Sequence, residues 1–228
     1  LSLTFTSSFP TTDFAAEDIT VSNGSISDFA EFLDAPVAGT TYTATFTPTP
    51  SPAPSGVWAG LSCTIDVASS TFTDGSGNNN AAATQFNWTF DNFAPSIQKI
   101  TSTYTSPSTI YFDDGPIAIV AQFNQVVHVT GTPQITLVTD MASDPDGTTA
   151  CNYWFGSGTQ SIQFRYDVGS GDNSTDLDIA STTALQLNGG TLKDAAGNDA
   201  DLTCPVPGTL YSLAGQKQYT VDGSQTAP

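Results

Sequence analysis

The sequence predicts an all-β protein built from two tandem antiparallel β-sandwich domains, and three observations support this class. Apolar and polar residues alternate along many short segments, turn-forming dipeptides separate those segments, and two motifs occur twice. Residues 41–47 show the alternation, with Tyr42, Ala44 and Phe46 on one face and threonines on the other. This period of two predicts half-buried strands. Short strands separated by turns such as Asn23-Gly24 are typical of sandwiches.

The repeated motifs divide the chain into two modules. The first motif ends in Asp and is followed by Ala-Pro, and the second motif is a turn that contains Asp and Asn. The copies of the first motif are residues 86–91 and 218–222, and those of the second are residues 72–78 and 192–198. We therefore predict domains spanning residues 1–93 and 94–228. A tandem array of this kind is typical of extended proteins rather than of compact enzymes.

The first module is predicted to lack its opening strand or strands. If Phe5 matches Phe123, the segment that corresponds to residues 97–119 has no counterpart in the first module. Pro95 precedes Phe123 by 28 positions, whereas 4 residues precede Phe5. An incomplete sandwich exposes a sheet edge that another strand can fill. We expect that strand from a neighbouring copy or from an upstream part of the same array, and residues 1–9 are one candidate donor.

The charge of the chain is lopsided, with 22 acidic and 4 basic residues and a net charge of -18. Phosphate binding requires Lys and Arg, so this composition argues against nucleic acid and against anionic membrane surfaces as partners. No apolar run approaches the roughly 18 residues of a membrane span, and we expect no membrane insertion. Residue 1 is not Met, so we expect a mature or excised piece of an exported, extracellular protein.

The acidic residues concentrate in Gly- and Asn-rich turns, which are the places where calcium sites take oxygen ligands. Calcium needs about 6–8 oxygens, more than any one stretch supplies, so several loops would have to converge. The alternative is that these are ordinary polar turn residues that keep the surface soluble. The candidate Ca²⁺ ligands are Asp91, Asp113, Asp114, Asp140, Asp144, Asp146, Asp172, Asp176, Asp178, Asp194, Asn198, Asp199 and Asp222.

A proline-rich segment, residues 48–56, interrupts the first module. Prolines cannot donate to a strand ladder, so this segment predicts a stiff, exposed, polyproline-like loop. Its Ser and Thr residues suit O-glycosylation. Asn23, Asn87 and Asn173 begin N-glycosylation sequons, although such triplets also arise by chance in a chain rich in Asn, Ser and Thr.

The cysteines and the histidine predict one disulfide and no enzymatic activity. Cys151 and Cys204 both fall in the second module, where a bridge would stabilise the fold by about 4 kcal/mol. Cys63 remains as a buried thiol or as a link to a partner chain. His128 is the one histidine, and no Ser-His-Asp set or transition-metal motif can be assembled around it.

The aromatic residues allow two interpretations. Residues 153–155, Tyr-Trp-Phe, and Trp58 have the chemistry to stack on sugars. Aromatic side chains also supply much of the packing in sandwich cores, and we favour that interpretation. Glycan binding stays an alternative.

Five segments carry a family resemblance. In the first module they are residues 12–24, 40–48 and 74–78, and in the second they are residues 122–133 and 192–198. These segments resemble the bacterial Ig-like repeats of large secreted adhesins and surface fibre proteins. The resemblance implies antiparallel Ig-like β-sandwich domains, export, a stalk or fibre role and often calcium. The proline-rich loop and the cysteines depart from the family pattern.

The resemblance and the missing strand lead to a functional hypothesis. We expect a structural building block of an extracellular bacterial surface filament or adhesin stalk, assembled head-to-tail by β-strand complementation and stiffened by calcium. Its partners would be copies of itself or neighbouring repeats. The alternative is a carbohydrate- or host-surface-binding module of a large multi-repeat adhesin.

Overall fold

The computed structural model describes residues 1–49, 60–105, 109–112, 114–140 and 147–224, apart from the side chain of Asp140. Nearly all regular structure in these residues is β-strand, and most strand pairs are antiparallel. The predicted all-β, antiparallel sandwich class is confirmed. Contacts divide the chain into two compact units, the first with residues 1–49 and 60–92, and the second with the described residues from 93 onward.

Unit 1 is a sandwich of two small antiparallel sheets. Its strands are β1 (Ser2–Thr6), β2 (Ile19–Ser22), β3 (Gly24–Glu31), β4 (Thr41–Pro48), β5 (Leu61–Val67) and β6 (Phe86–Phe90). One sheet has the order β1-β4-β3 and the other has the order β2-β5-β6. A single 3-10 turn, Ala16–Asp18, precedes β2. The core contains residues of both sheets, chiefly from β4 and β5.

Strand β4 shows how the alternating pattern produces this sandwich. Tyr42, Ala44 and Phe46 are buried, and the threonines between them are not, as the alternation predicted. The Phe46 ring packs edge-to-face on Trp88 of β6, with ring centroids 4.7 Å apart, so one aromatic pair joins the two sheets. Burying a phenylalanine of this size contributes about 1.5–3 kcal/mol.

The proline-rich segment begins later than the sequence indicated. Pro48 is the last residue of β4 and pairs with Gly24 of β3. It therefore belongs to the sheet rather than to a loop. Residues 50–56 lie outside the described residues.

Unit 2 is larger, and its strands connect in one path. The strands are β7 (Ile97–Ser102), β8 (Thr109–Tyr111), β9 (Ile117–Thr130), β10 (Gln134–Asp140), β11 (Gly147–Phe155), β12 (Thr159–Tyr166), β13 (Asn173–Ser174), β14 (Asp178–Ile179), β15 (Leu185–Gln186), β16 (Thr191–Lys193) and β17 (Thr220–Asp222). The path runs β16-β9-β12-β11-β10-β13-β17-β8, with β7 on β9 and with β14 and β15 on β10. A one-turn helix, α1 (Leu213–Gln216), precedes β17.

The long strand β9 organises unit 2. Its first half pairs with β12 on one side and with β7 on the other, and its last residues pair with β16. Ile119, Ala121 and Phe123 of β9 are buried in the core of the unit. Because β9 has a neighbour on both edges along its first half, its backbone groups there are satisfied within the unit.

The cysteines are buried free thiols, which corrects the predicted Cys151–Cys204 disulfide. Cys151 pairs with Ile135 on one side of β10, and Leu185 pairs with the same residue on the other side. The Cys204 thiol accepts a hydrogen bond from the backbone of Leu185. Cys151 and Leu185, the residue whose backbone contacts the Cys204 thiol, therefore lie on opposite sides of β10. Cys63 is buried as well, so its thiol does not face a partner chain.

No helix in the described part of the chain combines the length and the apolar character required to cross a membrane.

Candidate functional site: an open groove in unit 1

Strand β1 has a backbone edge that no other described strand covers. It pairs with β4 along its whole length. Leu1 exchanges both backbone hydrogen bonds with Phe46, at 2.9 and 2.8 Å. Because hydrogen bonding alternates along an antiparallel ladder, Ser2, Thr4 and Thr6 direct their N–H and C=O groups away from β4. The opposite edge of β1 therefore presents a row of donors and acceptors to an incoming strand.

Strand β6 is the end strand of the second sheet in unit 1. It pairs with β5, and among the residues described it has no strand on its other side. Phe86 of β6 is 54% exposed, and Leu1 and Phe9 at the β1 side are 55% and 65% exposed. Exposed apolar side chains grouped at open strand edges are typical of interaction sites.

A groove of about 800 Å³ lies beside the open edge of β1, and the first residue of β6, Phe86, lines it as well. One wall is β1 and the residues that follow it, and the other includes Ile65–Val67 of β5 and Phe86. Phe14 and Phe72 also line the groove, and their ring centroids are 4.8 Å apart. Protein interiors contain few voids larger than a water molecule, so an apolar space of this size within a small sandwich lacks a packing element.

Hydrogen bonds fix the loop at the rim of the groove. Asp74 accepts a hydrogen bond from the backbone N–H of Asn78 at 2.9 Å, and its pKa is lowered, chiefly by the Asn78 side chain. The Asp13 carboxylate accepts hydrogen bonds from Thr11 Oγ1 and Thr73 Oγ1, each at 2.7 Å, and these bonds lower the pKa of Asp13. The rim is therefore ordered by internal contacts, while the groove between its walls stays open.

The predicted calcium ligands are not gathered into a metal centre within the described residues. No group of three or more His, Cys, Asp or Glu side chains that could hold an ion occurs there. Asp113, Asp144 and Asp146 lie outside the described residues, and so does the side chain of Asp140.

Most of the other candidates accept hydrogen bonds in turns and caps. Asp178 Oδ2 accepts hydrogen bonds from Ser212 Oγ at 2.8 Å and from the backbone N–H of Gly208 at 2.7 Å. Burial, followed by the charge of Asp178, raises the pKa of Asp176. The remaining pairs are Asp114 with the Tyr111 N–H, Asp172 with the Tyr166 hydroxyl, Asp194 with both nitrogens of Asn198, Asp199 with Lys193, and Asp222 with Ser224. Asp91 directly follows β6. These contacts support the turn interpretation for the residues concerned, and calcium stays a prediction.

The aromatic segment of β11 is more exposed than a core role requires. Tyr153 packs partly against the core, but Trp154 and Phe155 are exposed, so the favoured core interpretation is wrong for these two residues. The register of β11 against β12 shifts between Tyr153 and Phe155, and this bulge turns Phe155 away from the core. The Arg165 guanidinium carbon lies 5.6 Å from the centroid of the Trp154 ring. Trp58 lies outside the described residues.

The three sequon asparagines lie on the surface. Asn23, Asn87 and Asn173 are all exposed. The Asn23 side-chain nitrogen, to which a glycan would attach, donates a hydrogen bond to the Ser62 carbonyl at 2.7 Å. Glycosylation stays a prediction.

The family comparison agrees with the architecture of unit 1. Residues 1–90 match the family model for the bacterial Ig-like domain, which confirms the resemblance over that part of the chain. No curated protein and no solved structure is significantly similar to the chain. Domains of this family are typically structural rather than enzymatic, and they often occur in surface proteins. The fold of unit 1 and the match over residues 1–90 are therefore both similar to a bacterial Ig-like domain.

Proposed function

We propose that this chain is a structural building block of an extracellular bacterial surface filament or adhesin stalk, and that a β-strand from a neighbouring module completes its first unit. The observation that carries the proposal is the apolar groove of about 800 Å³ beside the open edge of β1, which Phe86 at the start of the edge strand β6 also lines. Strand addition at such an edge gains affinity from main-chain hydrogen bonds and specificity from pockets for alternate side chains.

The physical state of the groove supports strand addition. An unpaired edge beside exposed phenylalanines invites association, and the edge strand β1 carries no charged side chain and no proline to discourage it. A neighbour that inserts in one direction makes a head-to-tail contact, and repetition of such a contact produces a filament rather than a closed ring.

The structure alters one detail of the assembly hypothesis. Residues 1–9 were a candidate donor, but Ser2–Thr6 form β1 within their own sheet and present the accepting edge. The donor in this proposal is therefore a different segment. Calcium stiffening remains a separate part of the proposal, supported by the excess of 22 acidic over 4 basic residues.

The test is the assembly state of the purified chain, measured by negative-stain electron microscopy and light scattering as its concentration rises in calcium. We expect filaments or higher oligomers from the natural sequence and loss of them in Thr4→Pro. Thr4 points its N–H away from β4, so proline there removes a donor at the open edge without removing a bond within the sheet.

The matched control is Thr4→Val, which keeps the N–H and the β-branched shape. We expect this variant to assemble like the natural chain, and circular dichroism should show that all three proteins are folded. Equal behaviour of the natural chain and Thr4→Pro, whether both assemble or both stay monomeric, would contradict assembly through this edge.

Carbohydrate binding is the second candidate function, and the exposed pair Trp154 and Phe155 favours it. Arg165 lies over the Trp154 ring and is held by Asp167 at 2.6 Å, so a flat aromatic face and a polar group adjoin. Sugar-binding surfaces use the same combination of stacking and hydrogen bonding. A glycan array on which Trp154→Ala and the natural chain give the same signals would remove this candidate.

A further inference from the structure

We propose that the groove of unit 1 receives an extended segment with the chemistry of residues 95–111, contributed by another Ig-like module. This segment would run antiparallel to β1 and then parallel to β6. The inference rests on the proposed function and specifies the partner at its site. Unit 2 supplies the template, because its corresponding edges are covered by β7 and β8 of its own chain.

The sheet ladders of the two units correspond over residues 2–4 of β1 and 120–122 of β9. Matching Phe5 with Phe123 aligns Leu3 with Ala121. Leu3 pairs with Ala44 in unit 1, and Ala121 pairs with Ile162 in unit 2. Two residues further along the partner strands, Phe46 and Phe164 are both completely buried. Strands β1 and β4 of unit 1 therefore occupy the positions of β9 and β12 in unit 2.

The free edge of β1 corresponds to the edge of β9 that β7 covers. Strand β7 runs antiparallel to β9, and Ile100 pairs with Ala121. Asn124 donates its backbone N–H to the Ser96 carbonyl at 3.0 Å. By the same alignment Asn124 matches Thr6, whose backbone groups point into the groove of unit 1. The backbone N–H and C=O groups at the free edge of β1 therefore occupy the same alternating positions as those of β9 that face β7.

The free edge of β6, whose first residue Phe86 lines the groove, corresponds in the same way. The repeated motif aligns Asp91 with Asp222, and therefore Phe90 of β6 with Val221 of β17. Val221 pairs with Ser174 of β13 on one side and, in parallel, with Ile110 of β8 on the other. Phe90 pairs with Leu61 of β5 on one side only, within the described chain. A single segment that follows β1 and then β6 would fill both vacancies.

The side chains of the opening segment indicate what the groove would accept. Ile100 and Ile110 are completely buried in unit 2, and Ser102 is 5% exposed. Two aliphatic anchors and a small residue therefore enter the core, and threonines and serines make up half of the remainder. Residues 95–111 contain Lys99 and no acidic residue. A donor segment with a net positive charge suits a groove that Asp66 and Asp74 line, on a chain of net charge -18.

The test uses the full chain and a synthetic peptide of residues 95–111 with blocked ends. We expect saturable binding by calorimetry. The same peptide carrying Ile100→Asp and Ile110→Asp should bind at least about tenfold more weakly, because each carboxylate would be buried without a partner. Thr4→Pro in the protein should weaken binding of the natural peptide, and Thr4→Val should not.

The direction of the peptide is measured with nitroxide labels and amide NMR spectra. A label at the amino end of the peptide should broaden signals near Thr6, and one at the carboxyl end should broaden those near Phe90. The opposite pattern, absence of saturable binding, or equal affinity of the two peptides would overturn the assignment.

The two proposals fail separately. Filaments that form from the natural chain without any affinity for the peptide would retain the structural role and reject this donor. A chain that binds the peptide in the stated direction but stays monomeric would retain the donor and reject head-to-tail assembly of this chain.

Discussion

Asp178 and Ser212 form a buried pair in unit 2, in which the Ser212 hydroxyl donates a hydrogen bond of 2.8 Å to Asp178 Oδ2. Asp178 begins β14, and Ser212 is the residue before α1, where its Oγ also accepts a bond from the Gly215 N–H at 3.4 Å. One carboxylate therefore connects a short strand to the start of a short helix. This is a structural task for a residue that the clustering of acidic residues in turns predicts as a calcium ligand.

Replacing Asp178 tests that task directly. In Asp178→Asn, the donors that bind the carboxylate would face an amide nitrogen or an amide oxygen instead. We expect a loss of about 1.5–3 kcal/mol in the free energy of unfolding. Denaturant titration followed by circular dichroism measures it. Asp199→Asn, which breaks the exposed pair with Lys193, is the control and should cost less than about 1 kcal/mol. An Asp178→Asn effect that vanished in EDTA would instead identify Asp178 as a metal ligand.

Calcium dependence of the whole chain is a separate prediction. If the acidic turns hold calcium in the folded state only, excess ion stabilises that state by mass action. The melting temperature should then rise in millimolar calcium and fall in EDTA, as measured by differential scanning calorimetry. Magnesium at the same concentration is the control, because it demands a stricter octahedral geometry. Identical melts in EDTA and in calcium would contradict the hypothesis.

Burial of Cys151 makes the free energy of unfolding decrease as the pH rises in the alkaline range. Burial, with smaller contributions from Asp172 and Asp167, raises the pKa of this thiol from 9.0 to about 12. The folded state therefore holds the proton more tightly than the unfolded state. The resulting stabilisation is complete below pH 9 and is lost as the pH rises towards 12, by about 1.4 kcal/mol per pH unit.

Denaturant titrations at several pH values between 8 and 11 would show this slope. Cys151→Ala should lower the free energy of unfolding at neutral pH, because it leaves a small cavity, but should flatten the decline above pH 9. The thiol of the natural chain should also resist a disulfide reagent until the protein is unfolded. Rapid labelling of all three thiols in the native state would contradict their burial.

Gly24 is required by the packing of Phe46. A Cβ built at Gly24 would lie 2.0 Å from the Phe46 ring, whereas one at Gly75 would have no atom within 4 Å. We expect Gly24→Ala to destabilise the chain by about 1–3 kcal/mol, since the completely buried ring has no space into which it can move. Gly75→Ala is the matched control and should change the free energy of unfolding by less than about 0.5 kcal/mol. Similar melting temperatures for the two variants would show that this end of the core is loosely packed.

The sequence was sufficient to predict features that depend on local pattern. The alternation in residues 41–47 located the buried face of β4. The offset between Phe5 and Phe123 predicted an exposed sheet edge in the first module, and β1 has such an edge among the described residues. Both inferences need only the period of a strand and a count along the chain.

Features that depend on distant residues could not be predicted in this way. Asp178 and Ser212 are 34 positions apart, and nothing in either neighbourhood shows that they meet. The second wall of the groove involves Ile65 and Phe86, which belong to the sheet opposite β1. The exposure of Phe155 follows from a bulge, which reverses the faces expected from simple alternation.

The parallel pairing of β8 with β17 has a mechanical consequence. Strand β8 lies near the start of unit 2 and β17 near its end, and they share three paired positions. Tension that draws the start of the unit away from its end slides these strands past each other, so their hydrogen bonds are loaded together rather than one after another. Unit 1 has no such clamp beside β6 within the described residues. Under tension unit 1 would therefore extend before unit 2. A donor strand inserted beside β6 would strengthen unit 1, the weaker of the two units, against extension.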